Sequence, residues 1–108
     1  HGSNQYAPSR GLGALREAVA DFYRRRQGLA VEADQVTVTS GATEAIASAI
    51  LALVAPGDDV VLMQPLYDAY APLVARAGGV ARPMSLAPPA WRITAEALDH
   101  AFTPRTRL

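Results

Sequence analysis

The sequence predicts an α/β fold with three layers, in which helices cover both faces of a mainly parallel sheet. Short runs of β-branched and apolar residues alternate along the chain with longer segments whose apolar residues recur at helical spacing. The run Val60–Met63 is continuously apolar, which is typical of a strand covered on both faces. Strands that alternate with helices favour parallel pairing.

The composition limits the class of protein. The chain has 108 residues, half of them hydrophobic, and its ten basic residues balance its ten acidic ones. A net charge of zero gives no reason to expect nucleic acid or an anionic membrane as a partner. There is no cysteine, the two histidines lack ligand spacing, and no apolar run is long enough to span a bilayer. We therefore expect a cytoplasmic protein without a metal site.

The first predicted element is an amphipathic helix over Leu12–Gln27. Its apolar residues lie on one face, and three arginines, Arg24–Arg26, occupy its last turn. Cations there complement the helix dipole, and Gly28 follows as a C-terminal cap.

The next stretch changes period in the middle. Val36–Thr39 predicts a short strand, and after Ser40 and Gly41 the apolar residues take helical spacing. This second helix is apolar on nearly all sides, so we expect it to be central and buried.

A strand that turns tightly into a helix is a candidate anion site. The first backbone N–H groups of the helix, near Ala42 and Thr43, have no intrahelical acceptor, and the helix dipole adds partial positive charge there. The alternative is that Ser40 and Thr43 only cap a core helix. The local pattern leaves both interpretations open.

A strand, a helix and a second strand follow. Val60–Met63 predicts the first of these strands, and Gln64–Asp68 leads from its carboxyl end into the helix. Pro72 falls in the first turns of this helix, where proline costs least, and Gly78 and Gly79 end it.

The remaining residues predict an edge strand and a short helix. Val80–Leu86 predicts a strand that Pro83 confines to an edge. Thr94 can cap a helix that runs through Phe102. Pro104–Leu108 reads as the approach to a further strand that is not completed.

Ligands of layered α/β folds collect at the carboxyl ends of the strands. Two such ends carry suggestive residues, Ser40–Thr43 and Gln64–Tyr67. An anion site at one and an aromatic ring at the other indicate a phosphorylated flat ring that Tyr67 covers.

All ten basic residues are arginines, so the chain has no lysine. Schiff-base chemistry with an aldehyde cofactor needs a side-chain amine. These residues therefore cannot supply one.

Four segments carry a recognisable pattern: Asn4-Gln5-Tyr6, Gly11-x-x-x-Leu15-Arg16, Thr39–Ala45 and Pro65-x-Tyr67-Asp68-x-Tyr70. Together they resemble the fold-type-I pyridoxal-phosphate aminotransferases, and most closely the branch that contains kynurenine and methionine aminotransferases. The resemblance runs along the whole chain in order. It implies pyridoxal 5'-phosphate as cofactor, with amino acids and 2-oxo acids as substrates.

The resemblance also implies roles for individual residues. Gly41, Ala42 and Thr43 would hold the cofactor phosphate through the backbone, and Tyr67 would stack on the pyridine ring. Tyr6 would reach the phosphate in a neighbouring subunit, which implies a homodimer. Asp68 and Tyr70 would start and pack the helix, and no catalytic residue is implied in this chain.

We expect residues 1–108 to be part of a larger cofactor-binding domain. The family's central strands, its Schiff-base lysine and its small domain have no counterpart here, and the missing strands would lie between Val36–Thr39 and the strand pair. The expected function is thus an aminotransferase fragment that is inactive alone.

The alternative is a catalytically dead phosphate-binding module or a strand-exchanging interaction module. A hydrolase built on Ser40 and His100 is a distant third, because no motif links the two residues.

Overall fold

The computed structural model describes residues 5–108, so Asn4 of the first motif lies outside the described residues. The chain divides into two units, of which the first ends at Ala45 and the second begins at Ile46.

The first unit contains helix α1, Gly13–Gln27, as predicted. Gly28 ends it in a left-handed conformation and donates its backbone N–H to the carbonyl of Tyr23, and Arg24–Arg26 lie in the last turn. A short 3-10 helix, Ala33–Gln35, follows.

The predicted strand over Val36–Thr39 is wrong for this structure. Val36 has extended backbone angles, but residues 36–39 join no ladder within residues 5–108. The segment is tied to the start of α1 instead: Val38 donates its N–H to the Arg10 carbonyl at 3.1 Å, and Arg16 Nε donates to the Val36 carbonyl at 2.9 Å. A β-strand needs a partner as well as a propensity, and the described chain supplies none.

Gly11 allows this close approach. Its φ is +92°, and a Cβ built on it would lie 2.6 Å from the Cβ of Val38. A side chain would be strained by the backbone angle and would collide with the segment that α1 supports.

Helix α2, Ala42–Leu53, begins where predicted, but the expectation that it is buried all round is wrong. Ile50 is its one fully buried residue, while Leu51 and Leu53 are 54% and 47% exposed. Burial depends on neighbours, and nothing in residues 5–108 covers that face. No helix in the described chain is both long and apolar enough to cross a membrane.

The second unit confirms the predicted α/β class. Strand β1, Asp59–Gln64, leads through helix α3, Tyr70–Arg76, to strand β2, Val80–Ser85. The strands pair in parallel. The expectation that the first of them is covered on both faces holds only at its start, because Val60 is buried and Met63 is 51% exposed.

The predicted place of Pro72 in its helix and the predicted Thr94 cap are confirmed in the second unit. Pro72 is the third residue of α3. Helix α4, Ala95–Ala101, begins after Thr94, whose hydroxyl accepts a hydrogen bond from the Ala97 N–H at 3.1 Å.

The last residues depart from prediction, because they do pair with the sheet. Thr106 forms a parallel bridge with Asp59. Asp59 donates its N–H to the Arg105 carbonyl at 2.9 Å, and its carbonyl accepts from the Arg107 N–H at 2.8 Å. These contacts occupy the edge of β1 that β2 leaves free.

A small apolar cluster holds the second unit together. Its buried members come from α2, β1, α3 and the turn after α2: Ile50, Val54, Val60 and Val74. The cluster fixes the strand pair against the two helices.

Beside this cluster lies one fully buried carboxylate, Asp59. Its Oδ2 accepts a hydrogen bond from the Thr103 hydroxyl at 2.6 Å, and Arg82 Nε and Arg105 Nη2 lie 3.2 and 3.7 Å away. The Thr103 hydrogen bond lowers the pKa of Asp59, burial opposes the shift, and the charges of Arg82 and Arg105 add to the lowering.

Gly11→Ala is expected to destabilise the first unit by about 1–3 kcal/mol, because a left-handed alanine is strained and its methyl group meets Val38. Gly13→Ala is the matched control, since nothing lies within 4 Å of its added methyl group. Urea unfolding of both variants checks this. Equal stabilities would contradict the required contact.

Asp59→Asn is expected to reduce stability near neutral pH and to flatten its dependence on acid. The folded pKa of Asp59 is lowered, so its contribution is complete above the unfolded pKa of about 3.9 and is lost as the pH falls through the folded pKa. Urea midpoints measured between about pH 7 and pH 3 test this. Asp99→Asn, an exposed change on α4, is the control. An unchanged acid profile in Asp59→Asn would refute the prediction.

Candidate functional site

The candidate anion site is the N-terminus of α2. Gly41 precedes the helix with φ +90°, and a Cβ built on it would meet nothing within 4 Å. The first N–H that closes onto the turn is that of Ala45, which donates to the Gly41 carbonyl at 3.4 Å. The N–H groups of Ala42, Thr43 and Glu44 precede it, and an α-helix provides no acceptor for these first groups.

The turn before α2 is not capped by Ser40 or Thr43 in this structure. Within residues 5–108 the hydroxyls of Ser40 and Thr43 make no hydrogen bond to protein. Thr39 Oγ1 instead donates to the Gly41 carbonyl at 3.0 Å. The Glu44 carboxylate accepts from the Ser40 N–H. The Glu44 side chain thus stabilises the turn, and the hydroxyls of Ser40 and Thr43 can still bind a ligand.

Glu44 also sets the charge of the turn. It lies in the first turn of α2, where a carboxylate is stabilised by the helix dipole. Its hydrogen bond is to the N–H of Ser40, which lies before the helix. The helical donors at Ala42 and Thr43 therefore stay free of it.

Tyr67 belongs to the second unit, in the connection between β1 and α3. The residue is 59% exposed, so much of its surface is open to solvent. The ring meets Tyr70 edge to face, with centroids 5.7 Å apart and an interplanar angle of 71°. The position of Tyr67 at the carboxyl end of β1 follows from the strand bounds.

Tyr6 is fully exposed. The described chain gives its ring no packing role. Its reach to a neighbouring subunit stays a prediction.

The ring of His100 is bound to its own helix. The ring nitrogen Nδ1 of His100 lies 2.9 Å from the Glu96 carbonyl of its own helix, to which it donates. Among residues 5–108, no three acidic or histidine side chains gather as metal ligands do.

A phosphate group fits the residues at the α2 terminus. Free backbone donors, two available hydroxyls and the open space before Gly41 match the acceptor oxygens of a phosphate. The structure brings Gly41, Ala42 and Thr43 together at one helix end. The ring contact of Tyr67 with the same ligand stays a prediction.

Two features near the candidate residues were missed by the sequence reasoning. Gly11 and Arg16 belong to a recognised motif, but the sequence did not predict that Arg16 binds Val36 or that Gly11 leaves room for Val38. Tyr70 was expected to pack near the ring, but its edge contact with Tyr67 was not foreseen. The three-residue spacing of the two tyrosines across a helix start was the available signal.

Comparison with known proteins gives one family. The sequence matches the family described as aminotransferase class I and II over residues 1–107. It is 47% identical to the methionine aminotransferase of Escherichia coli over 108 residues, which make up 99% of this chain and 28% of that protein.

Solved structures agree. The N-succinyldiaminopimelate aminotransferase of Mycobacterium tuberculosis matches with a TM-score of 0.92 and 47% identity over 98% of this chain and 28% of that one. Aspartate aminotransferase of Thermus thermophilus, solved with maleate, matches with a TM-score of 0.89 and 36% identity over 94% of this chain and 27% of that one. The chain thus spans little more than a quarter of the length of these relatives.

Proposed function

Because this chain belongs to the class I and II aminotransferases, we propose that it forms the phosphate-binding part of a pyridoxal-phosphate-dependent aminotransferase. The whole protein would move an amino group from an amino acid to a 2-oxo acid. The observation that carries the proposal is the N-terminus of α2. Its first backbone N–H groups have no intrahelical acceptor, and the space beside the preceding Gly41 is open. The bound cofactor would supply the electron sink for the reaction.

The backbone of Gly41, Ala42 and Thr43 would hold the cofactor phosphate. The N–H groups of Ala42 and Thr43 donate along the helix axis, and the hydroxyl of Thr43 adds a third donor from the same residue pair. Gly41 has no side chain that could obstruct the phosphate. Its φ of +90° also disfavours any other residue at this position. These residues bind and orient the cofactor, and they move no proton.

Tyr67 would cover the face of the pyridine ring. An exposed aromatic ring gains contact area and excludes water when a flat heterocycle stacks on it. Tyr6 would reach the phosphate held by a second copy, so the working protein would be a homodimer. We place this dimer in the cytoplasm, where a chain without cysteine needs no oxidising environment.

The chain itself would be inactive. It has no lysine, so the amine that must hold the cofactor would come from elsewhere in the whole protein. This division assigns residues 1–108 to cofactor binding and leaves the covalent chemistry to other segments.

Thr43→Pro is expected to weaken cofactor binding in the full-length protein that carries this chain. Proline removes one N–H donor, and a hydrogen bond to a charged group is worth about 1.5–3 kcal/mol, so Kd should rise about tenfold to a hundredfold. Dialysis followed by absorbance measures the release of pyridoxal phosphate.

Two variants complete this experiment. Thr43→Ala keeps the backbone donor and should lose less affinity. Ala42→Pro removes the neighbouring donor at the first helical position, where proline is best tolerated. Wild-type affinity in both proline variants, with unchanged melting temperature, would exclude the phosphate site.

The 108-residue chain alone is expected to show no transaminase turnover with pyridoxal phosphate. Borohydride reduction should label at most the α-amine of His1, because no side chain offers an amine. Peptide mass mapping locates any label. A label on an internal residue would overturn the prediction.

A further inference from the structure

Tyr67 has one aromatic neighbour that restrains it. The ring of Tyr67 is exposed, and it lies in a connection rather than in a helix or strand. Tyr70 presents its ring at a centroid distance of 5.7 Å and 71°, which is a favourable edge-to-face arrangement. The Tyr70 N–H also donates to the Tyr67 carbonyl at 3.2 Å, so backbone and ring restrain the same residue.

Tyr70 is itself anchored in the second unit. It is the first residue of α3 and is partly buried. Its side chain lines an open cavity of about 320 Å³ whose other walls are apolar residues of α2, β1 and the chain end: Ile46, Ala49, Ile50, Val60, Val61, Leu62 and Leu108. Tyr70 is thus partly buried at the start of a helix, whereas Tyr67 is exposed in a connection.

We propose that Tyr70 is a positioning residue, which holds the ring of Tyr67 ready to stack on the pyridine ring of the cofactor. The inference rests on the proposed function, because it gives Tyr67 its ligand. An exposed tyrosine must lose side-chain freedom when it stacks, and a ring already held by a neighbour loses less. Tyr70 touches no cofactor atom in this arrangement and acts only through Tyr67.

The hydroxyl of Tyr70 has no part in this role. Within residues 5–108 it makes no hydrogen bond, and the contact with Tyr67 is made by the ring. Tyr70→Phe keeps the ring and should preserve the effect. Tyr70→Leu keeps an apolar side chain beside the cavity but removes the aromatic edge.

A double-mutant cycle in the full-length protein tests the proposal, with Tyr70→Leu, Tyr67→Ala and the double variant compared with wild type. The Kd of pyridoxal phosphate is measured by dialysis and absorbance, and the visible circular dichroism of the bound cofactor reports how firmly its ring is oriented. Tyr70→Leu should raise Kd about two- to tenfold and lower the dichroism per bound cofactor. In the Tyr67→Ala background it should change neither, and Tyr70→Phe should match wild type.

The remaining outcomes separate this inference from the function on which it rests. Unchanged Kd in Tyr67→Ala would remove the stacking role, and the inference with it. Weaker binding in Tyr67→Ala but not in Tyr70→Leu would overturn the inference alone. Additive effects in the double variant, or a Tyr70→Phe loss equal to that of Tyr70→Leu, would also overturn it. The melting temperature of the apoprotein checks folding. Tyr70→Met, which also keeps an apolar side chain beside the cavity, replaces leucine where leucine prevents folding.

Discussion

The buried carboxylate of Asp59 is the constraint on which the second unit depends. A charge taken out of water is costly unless ion pairs and hydrogen bonds replace its hydration. Here the contacts come from three places along the chain and all reach Oδ2, while Oδ1 has no hydrogen-bond partner within residues 5–108. Arg82 brings β2, while Thr103 and Arg105 bring the last residues. The backbone of Asp59 adds hydrogen bonds to Arg105 and Arg107 on one edge. The side chain of Asp59, at the start of β1, thus contacts both β2 and the last residues of the chain.

Features set by nearby residues could be predicted from the sequence. The end of α1 at Gly28, the Thr94 cap and the place of Pro72 each depend on a few adjacent residues, and each is confirmed. Features set by distant residues could not. Val36–Thr39 has strand propensity but no partner in the described chain, and Leu51 is apolar without being covered. The burial of Asp59 could not be predicted, because its partners lie 23 or more residues further along the chain and its own segment gives no sign of them.

The candidate site shows the same division. The turn into α2 is a local structure, so its position and its free donors could be foreseen from Ser40 and Gly41. The contacts that shape it were less predictable, because the Glu44 carboxylate binds the turn, whereas the capping interpretation assigned this role to Ser40 and Thr43. The geometry alone does not identify the anion, since a helix N-terminus can bind many anions. Family membership is what favours a cofactor phosphate.

The wide spacing of the partners of Asp59 has a consequence for the order of folding. The strands β1 and β2 are joined by the fifteen residues 65–79, which include α3, and their pairing needs no residue beyond Ser85. The carboxylate of Asp59 cannot be fully enclosed at that stage, because Thr103 and Arg105 have not yet left the ribosome when β2 does. Until the segment after α4 emerges, Asp59 stays partly hydrated and the edge of β1 that Thr106 later bridges stays unpaired. Such an edge can pair with another chain, so the segment that carries Thr103 and Thr106 also removes an opportunity for misassembly when it closes.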